Sequence, residues 1–516
     1  MQKYRFQVEN AIFAPDKSIH MRRLLSTLLF SILISVNVLT AQIPAKRAFR
    51  GTWVHTVAQS KYATMTEGQM KTYFNTLLDS LKAIGINAVL FQVRPEADAW
   101  YASKLEPWSR YITGTQGKNP GWDPLQFMVE ACHKRNMELH AWLNPYRSRV
   151  RNSNPLASNH IYFKHPEWFI PFGDLTCFDP GNPACRAFIE EVVNDIVTRY
   201  DIDAIHMDDY FYPYPVAGKE FNDDKSFRTY GFAMGFTINQ KADWRRENVN
   251  ILIRNLYANI HKIKPWVQFG VSPFGIWRNQ KTDPKGSNTN GLTNYDGLYA
   301  DVLHWLDKGW VDYNIPQLYW EIGHKSADYT TLLNWWADNA RGKALYIGQD
   351  VVRTMKPNNS STAQLSKKMA QSDQRKEIMG QCLWPAYELE KNASGVCDSL
   401  RNTYFKYPVL MPANNPFDQI PPSSVYELKM ESLANGQRQI SWMADITTFE
   451  LDKPVRFVVY RFAKGSVVNM EDPRHILGIT SDSKFILPTW CKGKQTVLVT
   501  ALDRCWNESL PISIEL

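Results

Sequence analysis

The chain is predicted to be an α/β protein, a (β/α)8 TIM barrel followed by a small all-β sandwich. Three observations carry that prediction. From Phe49 onward, short apolar runs alternate eight times with longer stretches of helical periodicity, the signature of parallel βα units. Four successive apolar runs carry polar residues on a single parity near their ends, as strands lining one mouth would. Beyond Tyr407 a cluster of prolines gives way to short alternating β-rich runs, and 516 residues is long enough for a barrel plus a smaller domain.

The elements follow in order. Residues 1–41 read as an upstream extension and a signal peptide: Met21-Arg22-Arg23 is basic, Leu24 to Leu39 is apolar, and the segment ends on the small residue Ala41. No Cys follows the apolar run, so a lipoprotein is not expected. The predicted product is exported, periplasmic or extracellular, with no stable membrane insertion after cleavage.

Barrel strands are expected at residues 51–56, 88–94, 138–144, 204–209, 267–272, 313–319, 345–349 and 381–387. Helices are expected at 67–84, 123–135, 184–200, 241–263, 295–308, 329–340, 361–376 and 396–404. Eight repeats over about 360 residues, with long loops after several strands, suit a closed barrel at 49–407 better than an open sheet. Pro408, Pro412, Pro416, Pro421 and Pro422 mark a linker at 408–424. The β-rich runs of residues 425–516 suit an immunoglobulin-like sandwich, and VVYRF and VLVTALDRCWNES resemble a fibronectin type III domain.

Composition narrows the function. A formal charge of +8, with no Lys/Arg-rich run beyond the amino terminus, argues against nucleic acid as a partner. The 18 Trp and 24 Tyr supply flat amphipathic rings of the kind that stack on sugar faces. Seven cysteines permit disulfides, with Cys177 and Cys185, Cys491 and Cys505, and Cys382 and Cys397 as possible pairs, while Cys132 reads as a buried thiol. There is no Walker loop and no strand-linked GxGxxG, so no cofactor is indicated.

The richest stretch is YDIDAIHMDDYFYPYP, residues 200–215. Its apolar body reads as the fourth strand, ending in carboxylates that are costly to desolvate unless a site uses them. Alternation turns His206 and Asp208 inward and Asp209 the other way. On the second strand the same parity selects Gln92 and Arg94 and continues to Glu96; on the third it selects His140, Trp142 and Asn144; on the fifth, Gln268 and Ser272.

Glycosidic cleavage needs one protonated and one ionised carboxyl group. Asp208 is the first. Glu96 and Glu321 compete for the second role, with Asp350 and Glu388 at the last two strand ends, and Asp209 is expected to support. Expected substrate contacts are Arg94, His140, Asn144, Tyr146, Arg147, His206, Tyr210, Tyr212, Ser272, Gln317, Tyr319 and Trp320, beside Phe211 and Tyr214. A metal-assisted alternative would draw on His55, His140, His206 and Asp208, but the first strand ends in HTV rather than HxH and no HExxH occurs, so no metal is expected.

These same segments carry a family resemblance. RGTWV, FQVRPEADAWY, GWDPLQFMVEACHKRNMELHAWLNPYR, IDAIHMDDYFYPYP, WRRENVN, FGVSPFGIWRN, YDGLYADV, VDYNIPQLYW and LYIGQ resemble the glycosyl-hydrolase-like 10 family of bacterial envelope proteins, from about Phe49 to Tyr407. The resemblance implies a (β/α)8 glycosidase acting on peptidoglycan glycan strands stripped of stem peptides, with the family's double aspartate at Asp208 and Asp209. Where the family tends to carry Gly before a helix-to-strand turn, this chain has Asn136, which tolerates a left-handed conformation. The expected activity is cleavage of a cell-wall glycan. The alternative is a non-catalytic glycan-binding barrel or, failing that, a metal-dependent hydrolase.

Overall fold

Strand β1 (Phe49–Val54) leads into the helix Glu67–Ala83, which opens on a capping box between Thr66 and Gln69. That helix buries Met70, Phe74, Leu77, Leu78 and Leu81, one stripe at helical spacing. Strands β2 (Ala88–Arg94) and β3 (Glu138–Leu143) follow, separated by the helix Pro124–His133, whose Asp123 cap and Pro at the first turn fix its start. The turn into β3 passes through Asn136 at φ 54°, the left-handed conformation anticipated for it.

The computed structural model describes residues 44–413 and 416–516. The expected signal peptide, residues 1–41, lies outside the described residues. No helix among the described residues is long and apolar enough to cross a membrane.

After β3 comes an antiparallel sheet that the sequence did not suggest: β4 (Arg147–Arg149), β5 (Phe169–Phe172) and β6 (Leu175–Phe178), in the order β4-β6-β5. The barrel resumes with β7 (Ala204–Met207), β8 (Gln268–Val271), β9 (Tyr313–Asn314), β10 (Ala344–Asp350) and β11 (Ile378–Trp384). Eight parallel strands close in the order β1-β2-β3-β7-β8-β9-β10-β11, with β11 pairing back to β1.

Three expected elements differ. β9 is short because Pro316 removes a donor from the ladder, and the chain continues as an isolated bridge from Gln317 to Gly348. The helix expected at 295–308 is split into Asn294–Gly297 and Val302–Lys308, with Tyr299 between them at φ 53°. The last helix, from Val396, turns into a π-helical turn over Leu400–Tyr404.

Period-two alternation sorts the strand residues into two layers. Phe91, Val93, Leu139, Ala141, Ile205, Met207, Phe269 and Val271 pack outward against the helices. Phe49, Trp53, Leu90, Trp142, Ala204, Tyr313 and Tyr346 fill the interior.

Residues beyond 425 form a small all-β region: β12 (Tyr426–Ser432), β13 (Arg438–Met443), β14 (Arg456–Ala463), β15 (Ile476–Thr480), β16 (Lys484–Ile486), β17 (Gln495–Leu502) and β18 (Ile512–Glu515). They form two antiparallel sheets, β12-β13-β16 and β15-β14-β17-β18. Ile440, Trp442, Phe457, Val459, Val497 and Val499 pack together, while the opposite face of β14 and β17 offers Val458, Tyr460, Phe462 and Leu498 to the cluster that includes the barrel interior.

The all-β region closes the N-terminal end of the barrel. Trp506 Nε1 donates to Glu138 at the start of β3 over 2.6 Å, Arg504 pairs with Asp201 at 2.8 Å, and Asn136 Nδ2 donates to the Ile479 carbonyl. The segment expected to be a linker is itself packed, since Val409, Leu410 and Met411 are buried and Leu410 exchanges backbone hydrogen bonds with the Lys46–Ala48 segment. Residues 45–516 consequently form one compact unit. All seven cysteines are free and buried. The Cys397 thiol donates to the Leu389 carbonyl and that of Cys491 to Gln495, so packing and single hydrogen bonds take the place of the pairings considered.

Candidate functional site

Strand β7 ends at Met207, and the next residue, Asp208, stands at the C-terminal mouth of the barrel. Its Oδ2 accepts from Trp142 Nε1 (3.2 Å) and from Asn144 Nδ2, and its Oδ1 faces the Tyr210 N–H at 3.3 Å. Asn144 has a defined orientation because its Oδ1 accepts from both Gln92 Nε2 and Arg147 Nη2, at 2.6 Å each, which leaves the amide N–H to point at Asp208. Gln92 is held in turn, its Oε1 accepting from the Thr56 and Val57 N–H groups at 2.8 Å. A continuous set of hydrogen bonds therefore runs from the loop after β1 to the Asp208 carboxyl.

Asp208 is only 5% exposed. Burial first, and then the neighbouring charge of Asp209, push its carboxyl up to about 7, against the pull of Arg147. Asp209 does not point away as alternation suggested, because the strand has ended and the chain is free to turn. Burial raises its carboxyl above the ordinary range, against the hydrogen bonds it accepts from the Tyr214 hydroxyl and Gln317. Gln317 also donates to the Ser272 carbonyl at 2.8 Å. Arg147 anchors to the Pro95 carbonyl at 2.9 Å and lies over the Tyr210 ring at 5.1 Å.

Around these carboxylates stand half-buried aromatic rings. Tyr210 and Tyr214 are 5.2 Å apart, Tyr214 meets Phe274 at 6.0 Å, and Phe274 meets Trp320 edge-on at 5.3 Å. Trp142 contacts Trp384, which packs on His55 at 4.8 Å beside Tyr387. Tyr319 lies edge-on to Trp53, within electrostatic reach of Asp209, Asp350 and Asp208, whose charges add to burial in raising its hydroxyl. Asp350 caps the short helix that follows β10, its Oδ1 accepting the Arg353 N–H, and burial raises its carboxyl.

His140 and His206, expected to touch substrate, instead form the floor. Trp53 Nε1 can only donate, so His206 Nε2 accepts from it (3.2 Å), and the proton sits on Nδ1, which donates to the Tyr313 oxygen (3.1 Å). Tyr313 then donates to His140 Nδ1 at 2.8 Å, leaving His140 Nε2–H for Glu138 at 2.8 Å. Ser272 Oγ, 2.9 Å from His206 Nε2, shares that single acceptor with Trp53. Burial, with His140 nearby, holds His206 well below its ordinary range and therefore neutral. The ring nitrogens of both histidines are occupied, and Gln59 engages His55 Nε2 at 2.6 Å.

Several other expected contacts also turn inward. Arg94 is fully buried and forms a bidentate pair with Glu106, while its Nη1 donates to the Asn144 and Pro145 carbonyls, so it supports the loop after β3 rather than meeting a ligand. Tyr146, on the loop after β3, is buried in the outer core, and Tyr212, on the loop after β7, is buried there too and packs against Phe221 and Tyr299. Glu96 is fully buried, accepting from the Val150 N–H at 2.6 Å and pairing with Arg110 at 3.5 Å. Its charge, after burial, helps push Asp98 up to about 7. Glu321 accepts from the Asn358 N–H at 3.1 Å, and although burial opposes it, hydrogen bonds and the charges of His324 and Arg353 leave its carboxyl below the usual range. Tyr214 was expected beside the aspartates, Trp142 was placed on the inward face without a site role, and Trp384 was not singled out from sequence. Trp142 was findable, since it shares the inward parity of Asn144.

A sequence model of the family described as Glycosyl hydrolase-like 10 matches residues 48–366. The chain belongs to that family. Over 511 residues it is 37% identical to "Glycosyl hydrolase YngK" of Bacillus subtilis (strain 168), a match covering 96% of this chain and 98% of that protein. It is 40% identical over 334 residues to "Glycosyl hydrolase DigH" of Escherichia coli (strain K12), covering 61% of this chain and 75% of that one. Among solved structures, the glycoside hydrolase domain of PgaB (BpsB) from Bordetella bronchiseptica has a TM-score of 0.49 at 12% identity, covering 69% of this chain and 98% of that domain. The glycosyl hydrolase-like 10 match spans the strands that carry Asp208, Asp209, Asn144 and Arg147, and the similarity to YngK extends through the all-β region.

Proposed function

We propose that this protein is an exported glycoside hydrolase that cleaves a cell-wall polysaccharide, with peptide-free peptidoglycan glycan strands as its substrate and Asp208 as the proton donor. The observation that carries the reading is the Asp208 carboxyl, kept protonated near neutrality by burial and by Asp209, at the mouth of a barrel rimmed by half-buried aromatic rings. A protonated carboxyl aimed at a glycosidic oxygen is what leaving-group departure needs, and aromatic faces beside Asn and Gln amides suit a polyhydroxylated ring.

For the partner carboxylate we propose Asp350, at the end of β10, whose charge acts on the same Tyr319 hydroxyl as those of Asp209 and Asp208. Glu96 is fully buried and engaged by Val150 and Arg110, and Glu321 accepts from the Asn358 N–H. Asp209, oriented by Tyr214 and Gln317, tunes Asp208 and holds a sugar hydroxyl or acetamido group. The all-β region, read as a fibronectin type III-like sandwich on its three-plus-four strands, holds the barrel foot.

The test is release of new reducing ends from peptide-free glycan strands by the purified protein, compared with Asp208→Asn and Asp350→Asn. Loss in both with folding intact supports the assignment; unimpaired Asp350→Asn with dead Asp208→Asn would move the partner role elsewhere. A second reading, a glycan-binding barrel without catalysis, draws support from the engagement of Glu96. It predicts retention of glycan in pull-downs with no new reducing ends from the wild type.

A further inference from the structure

At the barrel foot, where the chain enters the all-β region, lies a cluster for which the glycosidase reading has no use. Asp418 comes from the entering segment, and Asp503 and Cys505 from the turn after β17. One carboxylate oxygen from each aspartate and the Cys505 Sγ all lie within 4.8 Å of one another. The residues are 8%, 0% and 4% exposed, respectively.

The Cys505 thiol engages the Asp418 carboxylate, and the Cys505 N–H that of Asp503. Asp418 Oδ1 accepts from the Ile420 N–H at 3.0 Å, and Oδ2 faces Asn507 Nδ2 at 3.3 Å. Asp503 Oδ1 accepts from the Asn507 N–H at 2.9 Å, while its Oδ2 is buried without a hydrogen-bond partner. Arg504, between Asp503 and Cys505 in sequence, is directed instead to Asp201 and Glu450. Among the described residues no Lys or Arg forms an ion pair with either carboxylate. Two buried carboxylates and a thiol without a counter-charge must either hold protons or hold a cation, and the unpartnered Asp503 oxygen is the specific vacancy in hydrogen bonding.

We propose that Asp418, Asp503 and Cys505 form a structural site for a divalent transition cation of the zinc class. A thiolate favours zinc over calcium or magnesium, which take oxygen ligands alone. Binding releases the Cys505 proton to solvent, and the thiolate and two carboxylates supply three ligands, with the Asn507 side chain or a water as the fourth. The ion would tie the segment entering the all-β region to the turn that carries Trp506, whose indole N–H reaches Glu138 at the foot of β3. It acts on the attachment of the two parts of the molecule and is independent of the glycosidase assignment.

The experiment uses untagged full-length protein, stripped with a chelator and titrated with zinc chloride. Bound metal is read by elemental analysis after gel filtration, and stability by thermal melting. One zinc per chain and a melting temperature that rises with zinc are expected. Cys505→Ser and Asp503→Asn should each weaken zinc binding by more than the ~10–100-fold that loss of an outer-shell partner costs. Cobalt(II) in place of zinc should give a thiolate-to-metal absorption band that Cys505→Ser abolishes. Because metal-free Asp503→Asn removes a buried charge, it should melt no lower than metal-free wild type, which separates lost binding from misfolding. Failure of the folded wild type to retain zinc, zinc binding that survives both substitutions, or preferential uptake of calcium would overturn the proposal.

Discussion

Replacing Asp208 by asparagine is expected to abolish glycan cleavage while leaving the protein folded and, above neutral pH, more stable. The side chain is nearly isosteric, and an amide oxygen placed at Oδ2 still accepts from Trp142 and Asn144. What disappears is the proton. General acid catalysis contributes about 10²–10⁴-fold, so kcat should fall by that range. The stability effect has a definite sign. A carboxyl raised in the folded state from 3.8 to about 7 binds its proton more tightly there than in the unfolded chain. Its contribution is fully present below about pH 4 and is lost as pH rises through about 7. Three pH units correspond to roughly 4 kcal/mol, an upper bound because Asp209 shares the effect. Wild type and Asp208→Asn should therefore differ little in melting temperature at pH 4 and diverge as pH rises, with the variant higher at pH 8. Wild-type activity should fall on the alkaline side as Asp208 ionises. Activity of Asp208→Asn within a few-fold of wild type, or melting curves with the same pH dependence for both proteins, would refute a protonated Asp208.

Three further outcomes follow from contacts around the site and at the barrel foot. Tyr214→Phe removes a hydroxyl donor that favours the ionised form of Asp209; the loss should be about 1.5–3 kcal/mol at pH 8 and shrink as pH falls and Asp209 protonates, measured by urea denaturation at both pH values. Arg94→Met strands the buried Glu106 carboxylate and should cost about 3–5 kcal/mol, whereas Arg94→Met combined with Glu106→Leu should recover much of it; equal stability of the single and double variants would contradict the buried-pair account. Trp506→Phe leaves the Glu138 oxygen without its indole donor and should lower stability by about 1–3 kcal/mol, with amide exchange accelerated at the start of β3 rather than at the Asp208 mouth.

Local patterns were enough to identify the barrel. The strand bodies declared themselves by apolar runs and the helices by caps and period, and β2 and the helix Lys241–Ile263 match their expected bounds. Parity was reliable within strands: His140, Trp142 and His206 do face the interior, since a pleated backbone leaves them no alternative. It failed one residue past the strand end, where the Asp209 carboxylate bonds to Tyr214 of the following loop, and the loop residue Tyr212, expected to meet substrate, went to the outer core.

The sequence by itself determined the eight-fold βα order, the family and Asp208 as an inward carboxylate, because each depends on local periodicity or contiguous motifs. Only the tertiary structure decided which polar residues were free to meet a ligand. Arg94, Glu96, His140 and His206 have the chemistry of a site, but their hydrogen-bonding capacity is taken up by Glu106, Arg110, Glu138 and Tyr313, partners up to more than a hundred residues away in the chain. The same holds for the proton on Asp208. Its persistence near neutrality depends on burial and on the distances to Asp209 and Arg147, quantities that exist only once the barrel has closed.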